Sequence, residues 1–99
     1  MPKFKEEIES EIEIKEPSLY RVILHNDDFT TMEFVIEILM TIFLKSEDDA
    51  IGLMMKIHTE GKAICGVYTH EIAEAKAEQV TQLARQNSFP LRATIEIDE

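Results

Sequence analysis

The chain has 99 residues, 20 acidic and 10 basic, and a formal net charge of −10 at pH 7. Hydrophobic residues make up 44%, enough for one compact core but too little chain for a second domain or a large catalytic cleft. So acidic a chain is not expected to bind nucleic acid or an anionic membrane surface, since both need clustered Lys and Arg.

Residues 1–16 hold six acidic and three basic residues with isolated Ile8, Ile12 and Ile14 among them. That pattern fits neither helical nor strand spacing and buries too little to order itself. It has no apolar core of a signal peptide, and nowhere does the chain hold the roughly 20 apolar residues of a membrane-spanning helix. A flexible N-terminal extension over residues 1–17 and a core domain over residues 18–99 are therefore expected. Cys65 stands alone, which excludes an intrachain disulfide and a Cys-based metal site and points to a reducing, cytoplasmic setting. A monomer is expected.

After Pro17 the pattern sharpens. Leu19 to Leu24 is rich in β-branched and aromatic residues and predicts a strand, stopped by Asn26-Asp27-Asp28. Thr30 and Glu33 are spaced as a capping box, which predicts a helix running to about Leu44. Its polar positions Glu33, Glu37, Thr41 and Lys45 form one stripe, so this helix must be covered on more than one side. Ser46 caps a second helix ending before Gly61, with Ala50, Leu53, Met54 and Ile57 on one face and His58 a turn beyond Met54. Lys62 to Tyr68 predicts a second strand. Thr69 caps a third helix to about Asn87, with Ala73, Ala77, Val80 and Ala84 inward. Leu91 to Ile97 alternates as a last strand. The order β-α-α-β-α-β predicts a small two-layer α+β domain, a three-stranded antiparallel sheet covered by three helices.

No nucleophile motif, glycine-rich phosphate loop or metal-ligand spacing is present, so no catalytic residue, cofactor or metal is expected. The polar run His25-Asn26-Asp27-Asp28 does ask for a reading. A plain strand-to-helix turn uses such residues too. Here they precede Thr30 and Met32 at a helix start, while the next helix ends with Met54, Ile57 and His58 on one side. An ionised carboxylate, an amide oxygen and a neutral imidazole nitrogen are all acceptors. Acceptors beside flexible Met side chains suit a ligand with a cationic donor head and an apolar body, such as a peptide N-terminus.

The segment from Tyr20 to Val35, YRVILHNDDFTTMEFV, closely resembles the start of bacterial ClpS proteins. The segment GKAICGVYT from Gly61 to Thr69, with His58 before it and Glu71 and Lys76 after it, resembles their second signature. The resemblance covers about Ser18 to Ile97. It implies a non-catalytic adaptor of the ClpA–ClpP protease. Such an adaptor binds N-degron proteins bearing a bulky first residue (Leu, Phe, Tyr, Trp) and hands them to the N-terminal domain of a ClpA-type AAA+ unfoldase. By the same resemblance Asn26, Asp28 and His58, with Asp27 adjacent, would hold the α-amino group. Thr30, Met32, Val35, Ile38, Met54, Ile57 and Leu91 would line the side-chain pocket, Met32 as a gate against β-branched first residues. Glu71 and Lys76 would face ClpA, and the N-terminal extension would serve delivery rather than docking. Asp28 ranks above Asp27 because alternate residues of extended backbone point the same way as Asn26.

Two positions depart from the family pattern: Thr31 replaces the usual proline, and Ile57 is a methylene larger than the common valine. From the residues alone two other classes stay open. One is a plain interaction module built like the C-terminal domain of a ribosomal stalk protein. The other is a small enzyme using Asp28 and His58 as an acid–base pair.

Overall fold

The computed structural model describes residues 17–99. The expected extension lies outside these residues except for Pro17. Three strands and three helices follow one another as β1 (Leu19–His25), α1 (Met32–Thr41), α2 (Glu47–Glu60), β2 (Lys62–Thr69), α3 (His70–Gln86) and β3 (Arg92–Ile97). The predicted order and fold class hold.

β1 occupies the middle of the sheet, ordered β2-β1-β3, and pairs antiparallel with both neighbours. Its alternation decides what each face does. Val22 and Leu24 are fully buried in the core and Tyr20 packs against it, under the helices. Arg21, Ile23 and His25 point to the opposite, open face, across from Val67, Ile64 and Lys62 of β2 and Glu96, Thr94 and Arg92 of β3.

The register on β2 slips once. Val22 pairs with Gly66 but Ile23 pairs with Ile64, so Cys65 is an extra residue without a partner. This bulge keeps Ala63 and Cys65 in the core while also turning Tyr68 under the helices. A Cβ on Gly66 would run into the Tyr68 ring, so the close passage of that ring requires glycine there.

The helices cover one face. α1 and α2 pack side by side and bury Phe34, Val35, Ile38 and Leu39 against Ala50, Met54 and Ile57. α3 crosses the sheet on Ala73, Val80 and Ala84, with Ala77 half-buried. As its nearly all-apolar composition required, α1 is covered on more than one side, although Met32 and Met40 stay exposed at its ends.

Four details differ from the sequence reading. α1 begins one residue later, because Thr31 is its N-cap: the Thr31 side chain accepts from the Phe34 N–H. Thr30 is engaged by Asp27 instead, so Glu33 is no longer three residues beyond the cap. α1 ends at Thr41 rather than near Leu44, since Leu44 turns left-handed at φ 56° and the Lys45 N–H reaches back to the Leu39 carbonyl. Thr69 does precede α3, but its side chain makes no capping hydrogen bond. β3 begins at Arg92, with Leu91 buried just before it.

Candidate functional site

The site forms where β1 and α2 end side by side. His25 pairs with Lys62, and the Asn26 N–H donates to the Gly61 carbonyl at 2.8 Å. Gly61 closes α2 at φ 92°, in the left-handed region where glycine carries no Cβ penalty, and its N–H donates to the Ile57 carbonyl. The strand exit is thereby stitched to the helix exit. Asn26 and His58 are 32 positions apart in sequence, yet both come to line one hollow.

Asp27 turns the chain from β1 into α1. Its Oδ1 accepts from the Phe29 N–H at 2.8 Å and the Thr30 N–H at 2.7 Å, and its Oδ2 from the Thr30 hydroxyl at 2.7 Å. Partial burial works against its ionisation, but the Thr30 and Phe29 donors, with Arg85 nearby, outweigh it and hold the carboxyl below its ordinary value. Asp28 is exposed beside it, and its side chain makes no hydrogen bond to the described residues. The same is true of His58.

Beneath these polar groups the wall is apolar. Met32 and Val35 face in from the first turn of α1, and Met54 and Ile57 from α2, at the three-residue spacing that sets side chains on one helix face. The hollow is lined by Asn26, Asp27, Asp28, Thr30, Met32, Val35, Met54, Ile57 and His58 and measures about 240 Å³. Pockets for drug-sized ligands run from roughly 300 Å³ upward, so this one is sized for a single side chain and its polar head. Neutral or anionic acceptors crowd the mouth, and no Lys or Arg lines it.

Nine of the eleven residues expected at the site therefore meet in one cavity. Ile38 and Leu91 do not line it. Both are buried in the core, at 0% and 1% exposure. The two residues expected on a partner-facing surface lie on α3, away from the cavity. Glu71 is exposed in the first turn of α3. Lys76 is half-buried: its Nζ donates to the Ile42 carbonyl at the end of α1 at 2.7 Å and lies 5.7 Å from the centre of the Tyr68 ring. A cation at a helix C-terminus stabilises that end.

Sequence reasoning missed three supporting groups. Asp27 builds the loop as well as lining the cavity. The Asp27–Thr30 spacing, typical of a side-chain-closed turn, was the available signal. Arg85 donates from Nη1 to the Phe89 and Leu91 carbonyls at 2.6 and 3.3 Å, closing the connection from α3 to β3. The Phe89 ring then packs on Phe34 of α1 with centroids 4.9 Å apart. No periodicity announces either contact. Among the described residues no group of three or more His, Cys, Asp or Glu side chains is arranged to hold a metal.

The geometry can be set beside known proteins. The family profile described as "ATP-dependent Clp protease adaptor protein ClpS" matches residues 15–94. A Clp protease adapter protein of Wolinella succinogenes is 50% identical over 93 residues, covering 94% of this chain and 91% of the relative. Its counterpart in Desulforapulum autotrophicum is 53% identical over 97 residues, covering 96% and 93%. Among solved structures, Agrobacterium tumefaciens ClpS2 bound to L-phenylalaninamide superposes with a TM-score of 0.81 at 42% identity, over 84% of this chain and all of that one. These relatives are named as adapters of the Clp protease, which favours a protease adaptor over the acid–base enzyme. On fold, sequence and site together, the chain belongs to the ClpS family of Clp protease adaptors.

Proposed function

We propose that the cavity receives the first residue of a protein substrate, taking its free α-ammonium at Asn26, Asp28 and His58 and its bulky side chain among Met32, Val35, Met54 and Ile57. The observation that carries this reading is one hollow with acceptors at its mouth and an apolar wall below. A peptide N-terminus offers the complement, three N–H donors on a cation next to one side chain. The ligand of the Agrobacterium relative, L-phenylalaninamide, has that chemistry: a free amine beside a benzyl group.

The energetics are adequate. Burying a Leu or Phe side chain contributes roughly 1.5–3 kcal/mol. Each of the three hydrogen bonds donated by the charged ammonium adds about 1.5–3 kcal/mol before the ordering cost of the peptide. Together they reach the −8 kcal/mol or so of a micromolar complex. Specificity needs both halves. An acetylated terminus loses the charge and leaves acceptors unpaired, and a small first residue leaves the wall uncovered. Met32, 43% exposed at the start of α1, would narrow the entrance against side chains branched at Cβ.

The substrates in this reading are N-degron proteins beginning with Leu, Phe, Tyr or Trp. The partner is a ClpA-type unfoldase whose N-terminal domain meets the α3 surface at Glu71 and Lys76. Residues 1–17 form the extension the unfoldase engages for delivery, and the adaptor acts as a cytoplasmic monomer. No described helix is long and apolar enough to cross a membrane, in keeping with that setting. Fluorescence anisotropy with matched peptides starting Leu, Phe, Val, Ala and acetyl-Leu tests the site. Tight binding of the first two alone is expected, and equal binding of all five would contradict it. Removing residues 1–16 should keep peptide binding and abolish degradation of a Leu-started substrate by ClpA–ClpP, and undiminished degradation would contradict the delivery role.

A further inference from the structure

The turn between α1 and α2 places two penalties on one residue, and neither the core nor the peptide cavity explains them. Leu44 sits in the left-handed region at φ 56°, where a residue with a Cβ is crowded and glycine is not. The turn imposes this conformation: the Lys45 N–H donates to the Leu39 carbonyl at 3.0 Å, and Ser46 then caps α2. The Leu44 side chain gains nothing in return. It is 79% exposed, the most exposed large apolar side chain among the described residues. Glycine or asparagine at this position would relieve the backbone and remove the apolar exposure together. Leu44 also has telling neighbours. Two residues before it, the Ile42 carbonyl accepts from Lys76 Nζ at 2.7 Å, and two residues of chain reach no further than about 7 Å. The same ammonium lies 5.7 Å from the centre of the Tyr68 ring, so Lys76 is held in place from two sides. Ile72, 49% exposed, precedes Lys76 by one turn of α3 and shares its face. A positioned cation is thereby accompanied by two exposed aliphatic side chains, one from α3 and one from the α1–α2 turn.

Resting on the reading that Glu71 and Lys76 meet the unfoldase, we propose that Leu44 is an apolar anchor of that same interface. Its side chain enters an apolar hollow on the unfoldase N-terminal domain, next to the group that meets Lys76. Docking then supplies the burial that the free chain lacks. The turn is short and tied at both ends, so little conformational freedom is lost when it docks. The strain at φ 56° is the cost of presenting an aliphatic side chain where the backbone calls for glycine. The anchor does not compete with a bound peptide. The cavity takes side chains from the first turn of α1, whereas Leu44 follows its last, about 15 Å along the helix.

Surface plasmon resonance of the full chain against a ClpA-type unfoldase tests the proposal, with melting curves and anisotropy on a Leu-started peptide alongside. Leu44→Gly and Leu44→Asn both accept the left-handed turn. Each should weaken unfoldase binding by about tenfold, with a melting temperature no lower than the parent's and unchanged peptide affinity. Leu44→Met keeps the apolar side chain and should bind the unfoldase nearly as the parent does. Unaltered unfoldase binding in Leu44→Gly and Leu44→Asn, with binding weakened by Glu71→Lys, would overturn the anchor and leave the reading of the α3 surface standing. Binding indifferent to Glu71→Lys as well would overturn both. A melting temperature lowered in both Leu44→Gly and Leu44→Asn would overturn the anchor too, by assigning the side chain to the fold, as would a loss of peptide affinity.

Discussion

Asp27 and Asp28 are adjacent carboxylates that should fail in opposite assays. Asp27→Ala removes the acceptor of three hydrogen bonds, from the Phe29 and Thr30 N–H groups and the Thr30 hydroxyl. Losing such a side-chain acceptor at a helix approach costs about 0.5–2 kcal/mol, and the partial exposure of Asp27 keeps the figure inside that range because water replaces some of the bonds. For a domain of this size, melting temperature falls by roughly 4–8 °C per kcal/mol. Asp28→Ala removes an exposed group that makes no hydrogen bond to the described residues, so its effect on stability should stay within about 0.5 kcal/mol. Its cost belongs to the complex. One charge-assisted hydrogen bond to an ammonium is about 1.5–3 kcal/mol, a loss of roughly 10- to 150-fold in affinity for a Leu-started peptide. Calorimetric melting and peptide anisotropy on the two variants separate the roles. A melting-temperature drop in Asp28→Ala as large as that in Asp27→Ala, or unaltered peptide affinity in Asp28→Ala, would refute this division of labour.

His25 is held below its ordinary value of 6.5, chiefly by burial and then by the Arg92 and Lys62 charges, against a smaller opposing pull from Glu96. The unfolded chain therefore takes up a proton near pH 6.5 that the folded chain refuses, so stability should fall as pH drops from there through the lowered folded value. His25→Gln should flatten that part of the melting profile, and equal slopes in both proteins would count against the assignment. Met32→Ala should admit Ile- and Val-started peptides that the parent excludes, with little change in melting temperature; anisotropy showing undiminished discrimination would remove Met32 as the gate. Gly66→Ala must displace the Tyr68 ring and should cost about 1–3 kcal/mol in the parent but much less when introduced into a Tyr68→Ala background. An undiminished cost in that background would place the strain elsewhere.

The fold was legible because its elements are strongly periodic and well punctuated. Leu19 to Leu24 reads as a strand, Ser46 and Gly61 bracket α2, and the alanines of α3 mark its inward face. What escaped the sequence lies in competition between neighbouring polar groups and in tertiary contacts. Thr30 and Thr31 are equally good caps on paper, and the choice falls to Thr31 because Asp27 claims the Thr30 hydroxyl. The helical pattern of α1 continues past Thr41, but the left-handed turn at Leu44 diverts the chain. The strand pattern of β2 hides its bulge at Cys65, for which Gly66 was the only hint. At the site, residue types and motif resemblance brought nine side chains to one place, whereas Ile38 and Leu91 are buried in the core and do not line the cavity. Lys76 had a further partner in the Ile42 carbonyl, 34 positions away, which no local pattern announces.

The central claim is that one cavity takes a free amine and the side chain next to it. A crystal structure of the chain with a Leu-started peptide tests it most directly. The peptide nitrogen is expected within hydrogen-bonding distance of Asn26, Asp28 and His58, and the leucine side chain between Met32, Val35, Met54 and Ile57. A peptide bound anywhere else, or one that sits equally well with its amine acetylated, would contradict it.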